Sequence, residues 1–384
     1  MIFPPDKLAE FKKHNAGSIR HEMGSALLQA YSMRELLAFA NQEQLQQWED
    51  LQLPYASDQG DEELRTLISA QYPGLQAKNI VTFCGAQEAI FVSYHALLSA
   101  SDAVLCVEPI YSPLRLVPQG LGASVSTVSL KESEKEWTLD LDEVFDSIKA
   151  LKGNEKLFAI NFPHNPTGAQ LAKNDFESIL ECASDNNTWV LSDEVFRGLE
   201  SEPDRQLPTA ASCYEKGISI GVMSKAYALG GIRVGWLASQ DEKFIQRVMS
   251  IKSYLSICGS KVDELLSKIA LSNSSVILRR NIELINANVK VFEAFQKRCS
   301  NICRWIIPEA GFLAFPRFVT DFSATGDSED LIRPLMNEHS VSLIPGKYYS
   351  SSCQQHFRLG LGLKSFQQDL NAFEKGIESM LAQR

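Results

Sequence analysis

The sequence predicts an α/β protein with a mostly parallel central sheet covered by helices on both faces, and a second, smaller α/β domain. Three observations carry this. From about 79 to 239, short apolar runs alternate with helical stretches, as in strand–helix–strand crossovers. The strand candidates are nearly continuous apolar runs, as expected of strands buried on both faces. Polar residues collect where these runs end, at Gly85, Tyr111, Asn165, Asp193 and Lys225. In such sheets the ligand crevice lies at the carboxyl ends of the strands.

Residues 1 to about 45 read as mostly helical. LLQAYSMRELLAFANQEQLQQW carries apolar residues at mixed three and four spacings, with Ser32 a candidate N-cap. Asp61 is a candidate cap for a helix whose buried stripe includes Leu64, Leu67 and Ile68. Tyr55 sits in the loop before it.

A strand over 79–84 (NIVTFC) ends at Gly85-Ala86-Gln87, which opens the helix QEAIFVSYHALLSA. Free amides at a helix start attract anions, although from this stretch alone a plain structural turn is the stronger reading. A strand over 103–107 leads to EPIYSP, where two prolines fix the loop around Tyr111. Its ring is either a stacking surface or an ordinary packed aromatic. Strands near 123–130 and over 156–161 flank a helix near 141–151. FPHNPTGAQ follows, a loop in which Asn165-Pro166 is a candidate cis peptide. After a helix over 173–186, TWVLSDEV places Asp193 at a strand end. A carboxylate there requires a cation or several donors, or it caps the next turn.

An apolar run from Ile218 to Met223 then ends at Ser224-Lys225. Gly230 and Gly231 permit a tight turn, Arg233 follows, and VGWLAS starts another strand. A lysine at the end of a buried strand is poorly hydrated, which depresses its pKa and suits it to Schiff-base chemistry, although on this stretch alone a surface lysine in a loop between strands is the stronger reading. Two long helical stretches occupy 240–299. Trp305–Phe315, Val341–Leu343 and Phe357–Leu361 read as strands of the smaller unit. Arg358 lies among apolar neighbours, so it faces either an anionic ligand or an internal salt bridge.

Composition excludes several classes. The 384 residues carry a formal net charge of −10 with no long basic run, which argues against nucleic acid as a partner. No apolar run approaches the ~20 residues of a membrane span. The first residues, MIFPPDKLAEFKKHN, lack the apolar segment of a signal peptide. The eight cysteines form no C-x-x-C pair and the six histidines no zinc-type spacing. The expectation is a cytoplasmic protein without structural metal.

NPTG at 165–168, SDEV at 192–195, SK at 224–225 with an arginine eight residues on, and FRLG at 357–360 occur together in this order. With these motifs, the chain resembles the fold-type I pyridoxal-phosphate enzymes, specifically the class I/II aminotransferase family, over nearly its whole length. The resemblance implies a large cofactor-binding domain over 46–275 and a small domain built from 1–45 and 276–384. It implies that Lys225 holds pyridoxal 5'-phosphate as an aldimine and later moves the substrate proton. Asp193 would pair with the pyridinium nitrogen and Asn165 donate to the phenolic oxygen. Tyr111 would stack on the ring, and Phe196 would be among the residues that contact the cofactor. The amides of Gly85, Ala86 and Gln87, with Ser224 and Arg233, would hold the phosphate. Arg358, with Asn165, would hold the substrate α-carboxylate. Tyr55 is similar to a tyrosine that reaches the neighbouring subunit's phosphate, which implies a homodimer with shared sites. The substrates would be an amino acid and a 2-oxo acid.

Two positions depart from the family pattern. Phe196 stands where relatives carry a tyrosine that donates to the phenolic oxygen, and Val222 where many carry a phosphate-binding serine. The leading expectation is an aminotransferase. A lyase or cyclase on the same fold is the alternative, since GAQEAIF, NFPHNPTG and DEV-x-RGLE resemble the branch with capreomycidine synthases. A binding protein on a degenerate scaffold is a third.

Overall fold

The structure is a computed structural model that describes residues 3–14, 19–319 and 326–382. Eight strands form the main sheet: β1 (Ile80–Phe83), β2 (Ala103–Glu108), β3 (Ser124–Glu132), β4 (Trp137–Leu139), β5 (Lys156–Asn161), β6 (Trp189–Asp193), β7 (Gly217–Val222) and β8 (Gly235–Ser239). Their spatial order is β1-β8-β7-β6-β5-β2-β3-β4. Neighbours from β7 through β3 pair in parallel. β8 runs against both β7 and β1, and β4 runs against β3.

The continuous apolar runs have a direct explanation. In β2, Val104 and Cys106 enter one hydrophobic core while Leu105 and Val107 enter the other. In β5, Leu157 and Ala159 are likewise separated from Phe158 and Ile160. Successive side chains point to opposite faces, so a sheet with a core on each face requires apolar residues at every position.

The smaller unit is assembled from distant parts of the chain. His21–Glu22 pairs in parallel with Val341–Ser342. Leu313–Ala314 and Ile344–Pro345 flank Phe357–Gly360, and Cys303–Arg304 pairs with Arg317–Phe318. The helices Glu329–His339 and Phe366–Ala382 pack on this unit.

Helix starts follow the sequence signals. Ser32 caps Met33–Leu37 through a capping box with Glu35, and the Asp61 side chain accepts from Leu64 N at 2.9 Å. Leu64 and Ile68 are buried, whereas Leu67 is half-buried.

Three expectations fail. Residues 25–32 are not helical: Gly360 N donates to Met23 O and Gln29 N to Gly362 O, so tertiary bonds take backbone groups that a helix would use. The long second helix of the C-terminal part is two, Lys261–Ser272 and Ser274–Arg298. At the break, Asn273 Nδ2 donates back to Ile269 O and across to Phe39 O. Within 305–315 only Leu313–Ala314 is strand.

Candidate active site

Each polar strand end occupies the same edge of the sheet. β6 and β5 are neighbours in register, with Asp193 opposite Asn161. Asn161 Nδ2 donates to Asp193 O at 2.7 Å, and its Oδ1 accepts from Asn165 N at 2.9 Å. One buried amide thus fixes both the aspartate and the NPTG loop. Three X-Pro bonds in this region are cis: Glu108-Pro109, Phe162-Pro163 and Asn165-Pro166.

Asp193 is 3% exposed. Its Oδ1 accepts from Val195 N at 3.3 Å. Burial pushes its carboxyl up to about 7, against the opposing pull of the Val195 N–H and the Lys225 charge. A carboxylate so poorly solvated favours a positively charged N–H donor. β7 ends beside it, and the turn is set by Met223 N to Val234 O and Leu229 N to Met223 O. Lys225, half-buried, donates from Nζ to Ala26 O at 2.9 Å and lies 5.9 Å from the Phe196 ring centre. Phe196 is buried edge-on against Phe312. Val222 is buried, and Ser224 half-buried.

A second cluster forms where β1 meets its helix. Gly85, at φ +91°, precedes the helix Ala86–Leu97. A Cβ on Gly85 would stand 2.4 Å from Arg233 Nη2 and displace the guanidinium, at a φ that residues with a side chain rarely adopt. Arg233 is exposed and hydrogen-bonds only weakly to Gly230 O and Cys84 O, at 3.2 Å each. Amides at a helix start beside an arginine form an anion cradle. Tyr111 donates from its hydroxyl to Gln87 Oε1 at 2.8 Å, which links the stacking loop to this cradle.

Arg358, on Phe357–Gly360, is 2% exposed. Nε and Nη2 both donate to Gly24 O, at 2.9 and 2.8 Å, and Nη1 donates to Asn165 Oδ1 at 3.3 Å. All these partners are neutral. A buried guanidinium without a counter-ion among the described residues calls for an anion.

The structure therefore brings Lys225, Asp193, Phe196, Asn165 and Arg358 into one connected group, and Gly85, Ala86, Gln87, Tyr111 and Arg233 into another beside it. Tyr55 joins neither: its side chain is 88% exposed. Sequence reasoning missed the carbonyls of Gly24 and Ala26 and the organising Asn161. The asparagine was detectable, as a polar residue closing the run KLFAI. The carbonyls were not, because any residue carries one.

A lysine, a carboxylate with raised proton affinity, an anion cradle and an arginine at the carboxyl edge of this sheet define a fold-type I pyridoxal-phosphate enzyme. The residues fit that cofactor: the cradle would take its phosphate, Asp193 would face its ring nitrogen and Lys225 would meet its aldehyde.

Comparison with known proteins agrees. The family profile described as aminotransferase class I and II matches residues 40–369. The capreomycidine synthase of Streptomyces vinaceus is 26% identical over 332 residues, covering 83% of this chain and 81% of that protein. A probable aspartate aminotransferase of Methanocaldococcus jannaschii is 26% identical over 324 residues, covering 81% of each. A solved pyridoxal-phosphate-dependent aminotransferase from Streptococcus suis superposes with a TM-score of 0.89 at 26% identity, covering 100% of this chain and 99% of that one. The chain belongs to the aminotransferase class I and II family.

Proposed function

We propose that the protein transfers the amino group of an amino acid to a 2-oxo acid. One observation carries this. Lys225 Nζ and the Arg358 guanidinium contact carbonyls only two residues apart, Ala26 O and Gly24 O. Two residues of chain span at most roughly 7 Å, and Gly24 and Ser25 form a bend, so the two groups are close enough for the α-amine and α-carboxylate of one amino acid to meet both at once.

When bound, pyridoxal phosphate supplies an aldehyde that joins the amine and a ring that accepts the electrons left when the α C–H bond breaks. The residues do the rest. Arg358 holds the carboxylate and fixes which α-bond faces the ring. Lys225 Nζ takes the α-proton and returns it. Asp193 would hold the ring nitrogen's proton. Asn165 would donate to the ring oxygen, Tyr111 would pack against the ring, and Gly85, Ala86, Gln87, Ser224 and Arg233 would hold the phosphate. The division into a cofactor-binding unit at 46–275 and a smaller unit from the chain ends is supported by the main sheet lying wholly within 80–239.

We further infer a cytoplasmic homodimer. Tyr55, Leu53, Tyr254, Leu255 and Ile257 are exposed, as an apolar subunit interface requires. All eight cysteines are free, and no described helix is long and apolar enough to cross a membrane.

The similarity to a capreomycidine synthase, together with Phe196, favours one second reading: cyclisation or elimination on a single amino acid. The test is an absorption screen of the cofactor-loaded protein against amino acids. Transfer requires that a 2-oxo acid restore the original spectrum and appear as a new amino acid. A product formed from one amino acid over many turnovers with no 2-oxo acid present, the spectrum returning unaided, establishes the second reading instead.

A further inference from the structure

Asp6 lies at the far end of the chain from Arg358, yet it sits beside the same site. Its carboxylate caps the helix Lys7–His14, with Oδ1 accepting from Leu8 N at 3.1 Å and Ala9 N at 3.3 Å. Its other oxygen, Oδ2, accepts from Ser112 Oγ at 3.1 Å. Ser112 adjoins Tyr111, the stacking residue. Two residues before it, Ile110 N donates to Tyr349 O at 3.0 Å, and the Tyr349 ring faces the Arg358 guanidinium at 5.4 Å. The loop 110–112 therefore connects Asp6, through Ser112, with Tyr111 and with Tyr349, whose ring faces the Arg358 guanidinium. The negative charge of Asp6 is felt at both phenols, where it adds to the burial that holds them protonated.

Asp6 has no lysine, arginine or histidine partner among the described residues. Capping a helix needs only one carboxylate oxygen, and asparagine or serine caps equally well. A charge is thus present where the local fold needs none. A site with Arg358 for the α-carboxylate and a carboxylate nearby that has no cationic side-chain partner is complementary to an amino acid negative at one end and positive at the other.

We propose that Asp6 is a specificity-determining residue that receives the cationic end of the substrate side chain, a guanidinium or an ammonium. The proposal rests on the amino-acid reading of the site and adds the substrate class. A guanidinium pairs with a carboxylate through a planar fork, while an ammonium makes single bonds, so arginine and lysine distinguish the two chemistries.

The test titrates the cofactor-loaded protein with L-arginine, L-lysine and L-norleucine, reading the dissociation constant from the cofactor's absorption. Norleucine is a neutral comparator of similar reach. The variant is Asp6→Asn, which keeps the helix cap and the Ser112 bond and removes the charge; a melting curve checks the fold. The wild type is expected to prefer at least one cationic amino acid to norleucine, and Asp6→Asn to reduce that preference roughly tenfold. An unchanged preference in the variant, or none in the wild type, overturns the assignment of Asp6. A spectrum indifferent to every amino acid overturns the amino-acid reading of the site, and the proposal with it.

Discussion

Replacing Asp193 by asparagine separates the cost of that carboxylate from its use. In the cofactor-free protein its carboxyl is pushed from 3.8 to about 7, mainly by burial. A carboxyl whose folded-state pKa is raised binds its proton more tightly folded than unfolded. Stability from this source is greatest below the unfolded value, falls as pH rises from 3.8 towards 7, and levels off above. The shift of about three pKa units corresponds to about 4 kcal/mol of destabilisation once the group is ionised. Near pH 6, below the folded pKa, the same relation gives about 3 kcal/mol. Asparagine carries no charge, so it removes this pH-dependent penalty. Its amide leaves hydrogen-bonding capacity unmet, which costs about 1–3 kcal/mol independently of pH. The net change at one pH is therefore modest, and the slope is diagnostic. Urea unfolding of cofactor-free wild type and Asp193→Asn at pH 6 and 8 is expected to show the variant gaining about 1.4 kcal/mol on the wild type over that interval. Cofactor binding should weaken in the same variant. A stability difference that stays flat between pH 6 and 8 refutes the argument that Asp193 is a poorly solvated carboxylate.

Other substitutions probe the remaining parts. Gly85→Ala forces a Cβ against Arg233 at a positive φ; with one charged hydrogen bond displaced, cofactor affinity should fall roughly tenfold or more, measured by absorption titration of the apoprotein. Phe196→Tyr adds a donor near Lys225, so the pH at which the loaded protein's visible spectrum changes should drop by about one unit; an unmoved transition counts against the assigned place of Phe196. Arg358→Lys replaces a fork by a point charge and should lower kcat/KM at least roughly tenfold, while cofactor loading is retained. Leu255→Asp, which places a charge among exposed apolar residues, should shift the protein towards monomer in sedimentation if that face joins two subunits.

Much of this architecture was legible in the sequence, for a physical reason. A parallel sheet buried on both faces needs unbroken apolar strands, and any polar residue ending one is conspicuous. That contrast exposed Gly85, Tyr111, Asn165, Asp193 and Lys225 before any coordinate was known. Helix starts were equally visible where a capping side chain sits next to its helix, as at Ser32 and Asp61. The readings failed where the deciding partner is remote. LLQAYS has a helical pattern, but Gly360 and Gly362 claim its neighbourhood from more than three hundred residues away. The helix break at Asn273 depends partly on Phe39 O.

The sequence by itself determined the sheet, the strand-end residues and the motifs of a pyridoxal-phosphate enzyme, because burial and local hydrogen bonding are written in residue type and spacing. Only the tertiary structure decided where the N-terminal segment meets the strand-end residues. It set the carbonyls of Gly24 and Ala26 on Arg358 and Lys225, and it brought Asp6 to Ser112. Backbone carbonyls carry no residue signature, and a carboxylate 106 positions from its partner leaves no periodicity to read. Their roles arise from proximity, which the folded chain alone supplies.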